Sequence, residues 1–174
     1  MNYANIKTFD DVNFLGSSLS LYVSGCDFNC KGCFNKLSQD RFYGEEFTSN
    51  IKNNIFEKFD KNYKFIDNLC ILGGDPMMEY NYKEVLNFVI EFRNKFPSKK
   101  IIIWTGYLFE YLIENRRDIL NYIDVVCDGQ FIEELYDRNL KWVGSSNQRI
   151  VDVKKSLKEN RVVLFKIKED YCVD

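Results

Sequence analysis

Three thiols sit on one short stretch of this chain: Cys26, Cys30 and Cys33, within VSGCDFNCKGCFN at residues 23–35. Cysteine thiolates are the usual ligands of a cubane 4Fe–4S cluster, which takes four. A loop supplying only three leaves one iron open to a small molecule. Two plainer readings stand beside this one. The three could anchor a structural zinc with a fourth, distant thiol, or pack as small hydrophobes. Zinc sites usually show paired Cys-x2-Cys units or added histidines, and the chain has no histidine. Asp27, Asn29, Lys31 and Gly32 interleave the thiols and mark a polar loop rather than a core segment.

A second group that could do chemistry is Gly73-Gly74-Asp75-Pro76, directly after the apolar run Leu69-Cys70-Ile71-Leu72. Paired glycines let backbone approach a ligand closely and reach conformations barred to other residues, and Pro76 fixes the exit of the turn. Taken alone, the group also reads as an ordinary strand-to-helix turn. Tyr107 could line a site or simply be buried. Asp128 could contact a ribose or cap a helix. Ser145, Ser146, Asn147, Gln148 and Arg149 form a polar run that either meets a ligand or partner or makes a structural turn. Of the remaining cysteines, Cys70 and Cys127 read as core thiols and Cys172 as a loose end.

The elements that must position these groups follow from periodicity. Leu19, Leu21 and Val23 alternate with polar residues, a strand running into the cysteine loop. Thr48 or Ser49 caps a helix whose apolar face is Ile51, Ile55, Phe56 and Phe59. Residues 69–72 predict a buried parallel strand. Val85, Phe88, Val89, Phe92 and Phe96 predict a helix closed by Pro97. Further strands are expected at 100–104, 124–127 and 161–167, with a helix over 108–116. This alternation predicts a single α/β domain with a mainly parallel sheet. In such sheets ligands collect beyond the carboxyl ends of the strands. The cysteine loop, residues 73–76, 105–107 and 128–129 each follow a strand, so all four should meet on one rim.

The Cys-x3-Cys-x2-Cys loop followed by Gly-Gly-Asp-Pro resembles the radical S-adenosylmethionine (SAM) superfamily. Adding WTGY at 104–107, DVVCDGQF at 124–131 and GSSNQR at 144–149, the chain resembles the activating proteins of anaerobic (class III) ribonucleotide reductases over most of residues 6–152. That resemblance implies a partial (β/α) barrel of radical SAM type at residues 1–152, with 153–174 as a C-terminal extension. It implies a 4Fe–4S cluster on Cys26, Cys30 and Cys33, with SAM on the open iron. It assigns SAM contacts to Gly32, Cys33, Phe34, Gly73, Gly74, Asp75 and Pro76. The implied activity is reductive SAM cleavage, with hydrogen abstraction from a glycine of the reductase large subunit and flavodoxin as a suitable reductant. The chemistry belongs to the cofactors, which accounts for the lack of a histidine or carboxylate dyad. The chain departs from the family at Phe28, where many members carry histidine. It departs again at Phe14-Leu15-Gly16-Ser17-Ser18, in place of Gly-Pro-Gly-x-Arg.

Composition narrows the alternatives. A net charge of −2 over 174 residues argues against a broad nucleic-acid footprint. No stretch is long and apolar enough for a membrane span, and residues 1–5 lack the order of a signal peptide. Six cysteines then suggest a reducing, cytoplasmic setting. Two competing functions remain at this stage: activation of a different glycyl-radical enzyme of formate-lyase type, or a non-catalytic iron–sulfur or zinc protein.

Overall fold

Side-chain alternation along three apolar strands sorts this molecule into two unequal layers. A computed structural model describes residues 1–166. In chain order the elements are β1 (Asn2–Asp10), β2 (Ser18–Val23), β3 (Glu45–Glu46), α1 (Ser49–Lys61), β4 (Asn68–Gly73), α2 (Glu79–Lys95), β5 (Lys100–Thr105), α3 (Phe109–Asn115), α4 (Arg117–Leu120), β6 (Val125–Asp128), β7 (Arg149–Asp152) and α5 (Val153–Glu159). The strands form one sheet in the order β3-β1-β2-β4-β5-β6-β7. Its central four, β2, β4, β5 and β6, run parallel, and β1, β3 and β7 add antiparallel edges.

Leu69 and Ile71 of β4, Ile101 and Ile103 of β5 and Val126 of β6 face the helices. There they meet Phe56 and Phe59 of α1 and Phe88 and Phe92 of α2, with Phe96 just beyond. The rings of Phe59, Phe92 and Phe96 lie 4.7–4.9 Å apart, so this layer is dense and aromatic. The alternate residues, Cys70, Leu72, Ile102, Val125 and Cys127, face the other way. That second face is covered by loops: Phe14 packs against Trp142 at 4.6 Å and Phe165 at 5.4 Å. A thin, loop-built cover leaves room for a ligand where a helical layer would not.

Local signals explain most boundaries. Thr48 is the cap of α1, its side chain accepting from the Ile51 amide. The late strand expected at 161–167 reduces to a single antiparallel bridge, Leu164 to Val151. That bridge is made by Asp152 N donating to Val163 O and Phe165 N donating to Ile150 O, and the Ser156 hydroxyl of α5 takes the Val163 amide, which ends the pairing there. Ile167, like Cys172, lies outside the described residues. Among the described residues no helix is long and apolar enough to cross a membrane.

Register delivers the expected convergence. Val23 lies beside Gly73, and Thr105 beside Asp128. The four strand ends therefore open onto one rim.

Candidate metal centre and cofactor cleft

Beyond Val23 the chain cannot continue as a strand, because Gly25 turns at φ +97°. A Cβ there would stand 2.4 Å from the Tyr80 ring, so glycine is required on both counts. The loop is then pinned by backbone: Gly25 N donates to Ser38 O at 2.7 Å and Cys26 N to Gln39 O at 3.0 Å. From beneath, buried Asn81 donates to the carbonyls of Ser24 and Asp75.

On this frame Cys26, Cys30 and Cys33 are half-buried free thiols lining a cleft of about 710 Å³. Burial pushes the Cys26 thiol up to about 12 and the Cys30 thiol upward as well. Opposing this, the backbone N–H of Phe28 is directed at Cys26 and that of Phe131 at Cys30, donors suited to thiolate sulfur. Thiols this reluctant to ionise need a metal's positive charge to displace the proton. Among the described residues no three Cys, His, Asp or Glu side chains converge as ligands of a single ion.

Gly73, Gly74 and Asp75 line the same cleft. Both glycines are also demanded by the protein itself. A Cβ on Gly73, at φ +104°, would meet Val23 O at 2.7 Å; one on Gly74 would meet Gly25 O at 2.6 Å and Ser38 O at 2.7 Å. The Gly74 backbone thus packs directly on the root of the cysteine loop. Asp75 is buried, and its carboxylate accepts from Thr105 Oγ1 at 2.9 Å and from the amides of Gly106 and Met77 at 2.8 Å each. Desolvation outweighs these donors and raises its pKa to about 6. Its side chain clamps the ends of β4 and β5 together. Of the other residues expected at the cofactor, Cys33 and Phe34 line the cleft, whereas Gly32 and Pro76 are not among its lining residues. Gly32, at φ +70°, passes against the Glu133 carboxylate, and Pro76 is buried.

The remaining motifs divide cleanly. Phe28 packs on Gly106 and edge-on against Tyr107 at 4.8 Å, an aromatic wall beside the cysteine loop. Asp128 is a fully buried structural carboxylate. It accepts from the Phe109 amide at the start of α3 and from Arg149 Nε at 3.0 Å, and Arg149 also bridges to Glu110. Residues 145–148 of the polar run form a turn whose Gln148 also lines the cleft, and Arg149 begins β7. Gln148 Oε1 accepts from the amides of Gly144 and Ser145 while its Nε2 donates to Gly129 O, and Asn147 donates to Gln130 O. These bonds shape the excursion between β6 and β7 that carries Phe131 to Cys30.

Several cleft residues had no sequence signal of their own. Asn13 and Tyr22 line its floor within a network around buried Asp10. Ser20 and the Lys7 ammonium complete that network, and Lys7 holds the Asp10 carboxyl below its ordinary value against desolvation. Arg138, Lys141 and Trp142 border the opposite side. Ser18 is buried beside the Asn68 side-chain amide.

Residues 12–151 match a family model described as a 4Fe-4S single cluster domain. Curated relatives named anaerobic ribonucleoside-triphosphate reductase-activating protein match nearly end to end. The one from Vibrio cholerae is 37% identical over 150 residues, spanning 86% of this chain and 97% of the relative. The one from Enterobacteria phage T4 is 37% identical, spanning 86% and 93%. The one from Escherichia coli K12 is 34% identical over 148 residues, spanning 85% and 96%.

Proposed function

The chain belongs to the family of anaerobic ribonucleoside-triphosphate reductase-activating proteins, and on that premise we propose that it is the radical SAM activase of such a reductase. In this reading Cys26, Cys30 and Cys33 hold a 4Fe–4S cluster and leave its fourth iron to the amino and carboxylate groups of SAM. The bound pair supplies reductive SAM cleavage and, through it, hydrogen abstraction from a glycine of the reductase large subunit. Residues 1–152 make up the activase domain, a partial barrel of radical SAM type, with 153–174 as its extension. Flavodoxin is a suitable electron donor.

The observation that carries the reading is the meeting of three loop thiols with the Gly73–Gly74 backbone in one open cleft at the carboxyl rim of the sheet. The chain's own residues then bind, orient and shield. The amides of Phe28 and Phe131 support thiolate sulfur, and Asp75 locks the β4 and β5 ends that frame the cofactor. Phe28, Leu72, Trp104 and Phe131 exclude water from the walls. Of the two activase readings, the end-to-end match to named reductase-activating proteins favours this one over a formate-lyase-type partner.

The test is anaerobic reconstitution with iron and sulfide, then dithionite and SAM. The expected result is about four irons per chain and formation of 5′-deoxyadenosine, with both lost in Cys30→Ala. A cluster-loaded protein that leaves SAM intact under reduction would contradict the reading.

A further inference from the structure

Two stretches of chain flank the mouth of the cleft, and both carry uncovered apolar side chains. Phe34 and Leu37, just past the last loop cysteine, are 71% and 67% exposed; Ile132, Leu135 and Tyr136, on the β6–β7 excursion, are 40%, 42% and 51% exposed. They are not scattered. The Phe34 ring lies 5.9 Å from Tyr136, and Phe131 packs on both, at 5.5 and 6.4 Å. Phe34, Phe131 and Tyr136 also line the cleft, so patch and cleft share a lip. Lys31 borders it, ion-paired to Glu133 and Glu134. An aromatic centre with a charged border is the anatomy of a protein interface, and an exposed apolar cluster of this kind marks a partner.

The lip is also preformed. Ser145 Oγ takes the Ile132 amide, Ser146 N donates to Leu135 O, and Asp137 N donates to Gly144 O. Little ordering is left to be done on binding. Its backbone is continuous with the metal centre, since Phe34 follows Cys33 and the Phe131 amide is directed at Cys30.

We propose that this lip is the docking surface for the reductase, seating the polypeptide on either side of the glycine that enters the cleft; the inference rests on the activase reading above. The occupant follows from chemistry. None of Phe34, Leu37, Ile132, Leu135 and Tyr136 is charged, and the neighbouring cations Lys31 and Lys36 are offset by Glu133 and Glu134, both ion-paired to Lys31, so the patch carries no net positive charge to attract a nucleic acid. A glycine on another polypeptide reaches the cleft only across its rim, and this lip is the apolar part of that rim.

The experiment uses reconstituted holoprotein carrying Leu135→Glu or Ile132→Glu, with Phe65→Glu as control. Phe65 is as exposed as Phe34 but lies on the loop before β4, at the opposite end of the strands. Iron content, 5′-deoxyadenosine formation with dithionite alone, self-association, affinity for the reductase and glycyl-radical yield are measured for each. The expected result for Leu135→Glu and Ile132→Glu is unchanged iron and nucleoside, with affinity and radical yield down at least about tenfold, since a charge must be buried at the interface. Phe65→Glu should match the unsubstituted protein throughout. Full affinity and radical yield in both lip variants would overturn the proposal. So would an equal loss in Phe65→Glu, or a change confined to self-association, which would assign the lip to a second copy of this chain. An unsubstituted protein that cleaves SAM yet leaves the reductase without a radical would overturn the activase reading, and the surface with it.

Discussion

Cys26 and Cys70 carry equally reluctant thiols, each pushed to about 12 by burial. Cys26 rides a polar loop at the rim of the sheet, lines the cleft and has the Phe28 amide directed at its sulfur. Cys70, like Cys127, stands inside a strand with no exposed surface, on the face covered by Phe14, Trp142 and Phe165. Acidity therefore does not separate the proposed ligands from the packing residues. Access does: a metal can displace the proton only from a thiol it can reach.

The sharpest way to break this comparison is to remove the sulfurs one at a time. Cys26→Ala, Cys30→Ala and Cys33→Ala should each abolish stable cluster binding in iron analysis and visible absorbance. Equal iron loss from Cys127→Ala would show that access is the wrong criterion.

Next in size is Gly74→Val. Its branched side chain would enter backbone of Gly25 and Ser38, within 3 Å of where a Cβ would stand. A cost of about 3 kcal/mol is expected in urea unfolding, with iron lost alongside as the loop is displaced. A stable, iron-loaded Gly74→Val protein that fails only with SAM would instead mean that the glycine serves the ligand alone.

Asp75 gives a pH test of the frame between the two regions. Its folded pKa, about 6, lies above the ordinary 3.8 because burial penalises the carboxylate. Protonation therefore favours the folded state. The contribution is complete below the unfolded value and is lost as pH rises through 6. Lowering pH from 7.5 to 5 should stabilise the protein by about 1 kcal/mol relative to Asp75→Asn, and approach about 3 kcal/mol below pH 4. Parallel stability profiles for the two proteins would show that Asp75 is not held in a desolvated clamp.

Smallest are Cys70→Ala and Cys127→Ala, which should keep full iron and lose about 1–2 kcal/mol of stability through lost packing. Thermal unfolding beside iron analysis separates the two quantities.

Much of this was legible in the chain. The cysteine loop, β2, β4, β5, β6 and the faces of α1 and α2 declare themselves because apolar periodicity and burial coincide there. β1 does not: its residues alternate between partial burial and exposure at a sheet edge, so the pattern is weak. β7 was hidden inside a polar run, since what makes Arg149 a strand residue is its pairing with buried Asp128. The strand expected at 161–167 is the converse case: among the described residues its apolar run pairs with β7 through one bridge. Site chemistry divides the same way. Thiol spacing exposes the candidate metal centre, whereas Thr105 and the Gly106 amide at Asp75 and the Phe131 amide at Cys30 come from strands and loops far away in sequence. Asp75 itself was expected at the cofactor, and its carboxylate is occupied by three donors of the protein.

The central claim is tested most directly by electron paramagnetic resonance of the anaerobic mixture of reconstituted protein, reductase, SAM and dithionite. The expected result is a glycine-centred doublet on the reductase that requires all four components and is missing with Cys30→Ala. Consumption of SAM with no glycyl signal on the reductase, or a signal that appears only when a formate-lyase-type enzyme is supplied instead, would contradict it.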